Sequence, residues 1–407
     1  MNTDKWLREY TMLNFYSAST RMANPQRAIM ECLEVALGLE DQSCDLVIIN
    51  ASIGHRLEEL RAQTRKLCPN ARIVAGSCAG VVGREGVSES LKDVAIMAVR
   101  GEEFVVDHVD DLYGWNTREK AELLARGLQQ KNPDINMVYL LGSGIDIAND
   151  QLIAGFESVF GPDVTLFGAT TSDNMRGVAS FQSIDEWVSD HGAVAVGFAD
   201  PTLVVETQAT HGFVAQGEPM IVTRAEGNRI IELNGRSAWS EYTSRLGLSP
   251  AASLADTIPI GAIAESLTEE LASAYGNSHI LRVVTHVDDN GALVYPTYCE
   301  EGVELWLTVR DEERIFSDLD RLIRAMTGEL QTRKPVAVFQ ADCLARGRRL
   351  FNRIMKEELV QRMQYPFSTE NGPPPWLGMY GFGEFARLNG VNTYHNYTTA
   401  LAALYRI

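Results

Sequence analysis

Short apolar runs alternate with amphipathic stretches through the first two hundred residues, and this rhythm constrains the fold more than any other feature. Leu46-Val-Ile-Ile49, Ile73-Val-Ala75, Val94-Ala-Ile-Met-Ala-Val99, Met137-Val-Tyr-Leu-Leu141 and Val164-Thr-Leu-Phe167 are too short for helices. Runs of this kind lie in sheets covered on both faces. Helical signals fall between them. Asn24 before Pro25 supplies an N-cap and a proline at the first helical position, and Ile29, Leu33, Ala36 and Leu37 then share one face. Asn116 with Glu119 reads as a capping arrangement for a helix reaching about Gln130. The alternation predicts an α/β layer architecture with at least partly parallel strands.

Strands then crowd together at 177–182, 192–198 and 202–206, which predicts an antiparallel edge or a second sheet. Ala215-Gln-Gly-Glu-Pro219 breaks the pattern with Gly and Pro and marks a boundary. Beyond it, 220–224 and 229–233 form a hairpin across Ala-Glu-Gly-Asn. Ser266 with Glu269 reads as a capping box whose helix Gly276 ends. Strands follow near 280–287, 292–296 and 303–309, with a turn at Asp289-Asn-Gly291. A helix over about 311–326, a strand over 336–340, a helix after Arg346 and a polar, proline-rich loop over 368–375 complete the pattern. No repeat of short fixed period is visible. The expectation is mixed α/β with α+β character: two layered domains packed together, over 12–218 and 219–407.

Charge narrows the function classes. Lys and Arg number 36 against 54 Asp and Glu, a net charge of −18, which repels nucleic acid and anionic membrane surfaces. Six cysteines (32, 44, 68, 78, 299 and 343) show neither C-x-x-C nor zinc-ligand spacing and read as reduced thiols. The N-terminal residues lack the apolar run of a leader, and no stretch of about 18 apolar residues offers a membrane span. These readings predict a cytoplasmic protein.

Chemistry concentrates at four places. Trp376 to Thr398 combines glycines at 378, 381 and 383 with aromatics, Glu384 and His395, and is read as a pocket-closing segment that is neither helix nor plain strand. His395, with Tyr380, Tyr394 and Tyr397 around it and Asn396 beside it, has the company of an axial haem ligand or of a pocket for an aromatic ligand, and equally of a satisfied core histidine. Gly76-Ser77-Cys78-Ala79-Gly80 is either a tight turn needing small residues or a cradle whose N–H groups hold a carboxylate or phosphate. Thr171, Asp173, Asn174 and Arg176 follow Gly168; Asp173 and Asn174 suit a loop bonded to its own backbone, and Arg176 suits a bidentate carboxylate clamp. Cys343-Leu-Ala-Arg346-Gly-Arg348-Arg349 gathers three arginines, either an anion site or a solvated face.

Taken in order, these segments resemble the FIST family, the FIST-N plus FIST-C sensory module of bacterial signalling proteins. The strand Asn14–Ser19 before the Asn-Pro helix, Gly76–Gly80, Phe167–Asn174, Val222–Asn228 with Ile231–Gly235, Cys343–Arg346 and the Gly-Phe-Gly-Glu…His-Asn-Tyr-Thr block carry the likeness. Thr170-Thr171 departs from the small apolar or glycine residues expected in relatives. The resemblance implies a small-ligand sensor with amino-acid-like ligands, and a stand-alone subset that binds haem, senses nitric oxide and regulates histidine kinases in trans. On that footing His395 is the candidate metal ligand, and a histidine kinase or other signalling protein is the candidate partner. The competing reading is a hydrolase or lyase using Cys78 or Cys343 with His395 or Glu384.

Overall fold

The computed structural model describes residues 12–328, 333–348 and 350–407. It is mixed α/β, and the predicted rhythm produces three copies of one unit. Each unit runs strand, helix, strand, helix, strand, hairpin, strand. The first takes its strands from Asn14–Thr20, Leu46–Ser52, Arg72–Cys78 and Val94–Arg100, with helices Pro25–Leu37 and Leu57–Leu67. The second uses Phe104–Val109, Met137–Gly142, Thr165–Thr170 and Ala193–Phe198, with helices Thr117–Lys131 and Asn149–Phe160. The third uses Leu203–Thr210, Ala337–Cys343, Trp376–Gly381 and Thr399–Arg406, with helices Glu312–Thr327 and Arg353–Phe367. In every unit the sheet order is first, fourth, second, third. The second and third strands are parallel, and the fourth is antiparallel to the first and second.

Each hairpin leaves its own unit and completes another. Val81–Gly83 with Gly86–Ser88 joins the third unit's sheet, Gln182–Ile184 with Trp187–Ser189 joins the first, and Gly383–Leu388 with Val391–His395 joins the second. The exchange is cyclic, and hydrogen bonds repeat it: Ala79 N–H donates to Tyr380 O (3.0 Å), Ser172 N–H to Ser77 O (3.0 Å) and Phe382 N–H to Thr170 O (3.1 Å). At Gly378, opposite Val82, a Cβ would come within 2.8 Å of the valine Cβ, so the incoming hairpin requires glycine there.

The inner faces of the three sheets share one core. Ile48, Met97, Tyr139, Phe167, Phe198, Phe339 and Leu404 all belong to it, and Phe339 meets Tyr139, Phe167 and Phe198 ring to ring. The outer faces are covered by each unit's two helices, giving three further cores. The result is a three-sided prism. Strands buried on both faces are why the sequence runs are continuously apolar.

A second body interrupts the third unit between its first strand and first helix. This roof has an eight-stranded sheet built around Phe213–Glu226, Ala262–Ser266, His279–Arg282 and Glu304–Arg310, with its own core of Val222, Ile230, Leu233, Ile263, Tyr295 and Leu305. The chain enters it at Gly212 (φ 73°), where a Cβ would lie 2.5 Å from Ile315 Cα. Phe213, Ala264 and Leu281 of the roof pack on Cys343, Ala345 and Tyr397 at one end of the prism.

Several local expectations are corrected. Residues 173–181 form a loop rather than a strand, because the Asp173 carboxylate accepts from the N–H groups of Arg176 (2.8 Å), Gly177 (3.1 Å) and Val178 (2.9 Å). The helix Glu269–Tyr275 is capped by Thr268, while Ser266 ends a strand. Asn116 turns its side chain back to Tyr113 N and Asp111 O instead of capping its helix. The glycine-rich segment from Trp376 forms three strands, since it crosses from one sheet into the next. Position 218/219 falls within the strand Phe213–Glu226, which bulges between Gln216 and Met220.

Candidate functional site

Between roof and prism lies a cavity of about 340 Å³. The prism contributes the loop Gly144–Asp146 after a second strand, Met175–Gly177 from the loop organised by Asp173, Cys343 with Leu344 and Ala345 of the 3₁₀ helix Leu344–Arg346, and Phe382. The roof contributes Arg229, Leu254, Ala255, Ile258, Val283–His286 and Val294. Leu254 comes from a one-turn helix whose Ser253 and Asp256 cap each other reciprocally, and Ile258 follows at i+4 on the same side. Most of the lining is aliphatic, with Asp146, Arg176, Arg229 and His286 the charged or titratable exceptions apart from the thiol of Cys343. Arg229 reaches across to Asp146 at 3.8 Å. Arg176 is exposed and makes no ion pair among the described residues.

Behind Cys343 lies a dry polar cluster. Glu384 and His395 are directly paired across two strands, and both are fully buried. Thr393 Oγ1 donates to Ala386 O (2.9 Å), so it accepts from His395 Nε2–H (2.7 Å), which leaves Nδ1 bare and without a partner. Burial holds the imidazole well below its usual range, helped by the Arg282 charge. Burial, and then the charge of Asp342, push the Glu384 carboxyl well above the usual range. Neither of its oxygens makes a well-formed hydrogen bond, and the nearby Thr398 N–H and Cys343 thiol pull the other way too weakly to offset burial. Its surroundings therefore favour the protonated form of Glu384. His211, which accepts from Phe213 N–H at Nδ1 (2.8 Å) and donates from Nε2 to His279 O (3.0 Å), is pushed down to about 3, chiefly by burial.

Of the twelve residues singled out by sequence, Arg176 and Cys343 line the cavity. Ser77 donates to Ser172 O (2.9 Å) and accepts from Phe181 N–H (2.8 Å), fastening one unit to the next. Thr171 bonds Gly142 O (3.2 Å), Tyr380 and Cys78 are core, and Asn174 accepts from Arg348. Asn396 joins prism to roof, accepting from Val283 N–H (3.1 Å) and donating to Phe382 O (2.8 Å). Arg346 is buried on Asp342 (2.9 Å) and His211 O (3.2 Å), and Arg348 bonds Glu89 through its backbone N–H, so both are held by internal partners. Arg349 lies outside the described residues. The roof residues were missed, and Ser253-Leu-Ala-Asp256 with Ile258 was the available signal: a capping box leading into two apolar residues on one face.

This geometry bears on the chemistry expected of the site. Burial raises the thiols of both Cys78 and Cys343, opposite to the direction that activates a nucleophile. No group of three or more His, Cys, Asp or Glu side chains is arranged to hold a metal ion among the described residues. His395 presents no ring nitrogen to the cavity, so the residues around it do not fit an axial haem site; His286 is the one histidine along the cavity wall. No helix among the described residues is long and apolar enough to cross a membrane.

Family models match nearly the whole of this framework: the FIST N domain over residues 45–236 and the FIST C domain over 238–387. The chain belongs to the FIST family. FIST domains are small-ligand sensing modules that signal to partners, and a cavity walled by both matched regions agrees with that role. An uncharacterized protein of Mycobacterium tuberculosis (strain ATCC 25618 / H37Rv) is 26% identical over 245 residues, 59% of this chain and 61% of its own length. An uncharacterized protein of Mycobacterium bovis (strain ATCC BAA-935 / AF2122/97) is 27% identical over 190 residues, 46% of this chain and 47% of its own. The chain thus spans about three-fifths, or less, of the curated relatives it matches. Arg176 and Asp146 fall in the FIST N match, and Ile258, His286 and Cys343 in the FIST C match.

Proposed function

We propose that this FIST protein is a cytoplasmic sensor of a small organic anion with an apolar body, held between roof and prism, and that it signals in trans to a partner such as a histidine kinase. The observation that carries this reading is the cavity itself: aliphatic walls, with Arg176 exposed at its edge and unpaired in a strongly acidic chain. Aliphatic lining favours the body of a ligand, and an unpaired guanidinium favours a carboxylate-like group. Because the cavity is walled by two bodies, a ligand there contacts both and can bias how they meet, which is what a sensor requires.

Two fluorescent probes test it. 8-Anilinonaphthalene-1-sulfonate and N-phenyl-1-naphthylamine share an aromatic body and differ in the sulfonate. Both are expected to bind, the sulfonate more tightly. Ile258→Trp, which fills the cavity, is expected to abolish both signals. Arg176→Met is expected to weaken the sulfonate alone by roughly tenfold, the order of one charge-assisted hydrogen bond. Probe binding that survives Ile258→Trp would remove the cavity from the reading.

The haem-binding, nitric-oxide-sensing form of the reading needs His286 rather than His395 as its ligand. A haemin titration followed in the Soret region decides it. A band lost in His286→Ala and kept in His395→Ala would support haem in this cavity, and free haemin throughout would end that form of the proposal.

A further inference from the structure

Building on the cavity reading, we propose that Asp146 is a built-in competitor for the ligand's anionic group: it holds Arg229 of the roof, and an anionic ligand binds by taking the carboxylate's place. Three observations carry this. Both side chains border the cavity, at 3.8 Å from one another. Theirs joins roof to prism across the cavity, whereas the other such pair, Arg310 with Glu312 at 3.9 Å, lies two residues apart where the chain leaves the roof. Each side chain is about two-fifths exposed, at 42% and 36%. A partly solvated pair at that distance is weak enough to exchange for an external anion.

The backbone places the competitor. Asp146 sits at φ 45°, in the left-handed region, directly after Gly144 and Ile145, whose amides are held by Ser180 Oγ (3.1 Å) and Ser143 Oγ (3.3 Å). A carboxylate on so fixed a loop stays at the cavity wall when Arg229 leaves it. The ligand then meets one arginine from the prism, Arg176, and one from the roof, Arg229, and the ionic tie between roof and prism at the cavity is exchanged for a tie through the ligand. The binding event and the contact between the two bodies become one equilibrium.

The same two probes test the exchange on the full chain. Asp146→Asn removes the charge and keeps a residue that tolerates positive φ. It is expected to tighten the sulfonate several-fold and leave the neutral probe unchanged, which also reports an intact fold. Arg229→Met is expected to weaken the sulfonate several-fold. In the double variant the gain from Asp146→Asn should vanish, because there is no arginine left to release. A gain that persists without Arg229 would make Asp146 a source of simple repulsion and overturn the exchange, as would no gain at all. If Ile258→Trp blocks both probes while the double variant shows no coupling, this inference falls alone. If Ile258→Trp blocks neither, the cavity reading falls with it.

Discussion

Separated at residue 237, the regions matching the FIST N and FIST C domains are expected to be unfolded when made individually and to regain structure only together. The first fragment would keep Leu203–Thr210, whose neighbour is Thr399–Arg406, and the hairpin Val81–Ser88, whose neighbour is Trp376–Gly381. It would also lose Gly383–His395 from the sheet containing Thr165–Thr170. The second fragment would carry Phe339 without Tyr139, Phe167 and Phe198, the rings it packs on. Removing one buried aromatic ring costs about 3–5 kcal/mol, and whole-domain stability is only about 5–15 kcal/mol, so losing a third of the shared core from the first fragment and two thirds from the second leaves neither piece a folded state. Circular dichroism melts of each fragment, and of the two co-expressed, measure this. A cooperative melt in the isolated N-terminal fragment would show that two of the three sheets suffice.

Glu384→Gln is expected to be more stable than the parent in alkaline solution, by a margin that widens with pH. The folded carboxyl is held well above its ordinary value by burial and by Asp342, while the unfolded one ionises near 4.3. Between those values the folded chain keeps a proton that the unfolded chain has released, so stability falls as pH rises, by about 1.4 kcal/mol for each unit. Glutamine keeps the shape and has no proton to lose. The fold already places one at the equivalent position of another hairpin, where Gln182 accepts from Gly192 N–H at 3.1 Å. His211 and His395 shape the acid side. Both resist protonation when folded, so stability is lost as pH falls below about 6.5, for His211 down to about 3. Urea unfolding across pH 5 to 9, parent against Glu384→Gln, isolates the carboxyl as a difference in slope. Parallel curves would mean that Glu384 is ionised in the folded protein.

Strands buried on both faces were legible in sequence because their apolar runs are continuous, and Leu46–Ser52, Met137–Gly142 and Ala193–Phe198 lie where the pattern placed them. The threefold relation between units was not. Equivalent positions share environment rather than chemistry: Ser52, Ser143 and Cys343 each begin the turn after a second strand, with N–H groups donating to Asp93, Gly192 and Thr398 carbonyls at 2.9, 2.8 and 2.9 Å. The roof, inserted within the third unit, also breaks the period. At the site, sequence picked out His395 by its aromatic company. Strand alternation turns Phe385 and Tyr394 outward and sends Glu384 and His395 inward, away from the cavity. Arg176 was legible because its chemistry is local. Arg229 and Ile258 were not, because only tertiary closure brings them over the prism.

Three units joined in a ring amount to a trimer written on one chain, and a symmetric trimer presents each kind of mouth three times. Here the roof emerges from a single unit and leans over a single junction, so among the described residues the other two junctions have no counterpart to Arg229 or Ile258. The stoichiometry is set by that asymmetry. If the cavity binds as proposed, one ligand per chain is expected to saturate it, with a plain hyperbolic isotherm for a lone chain, and a sigmoidal response would point to a partner or to association of several chains.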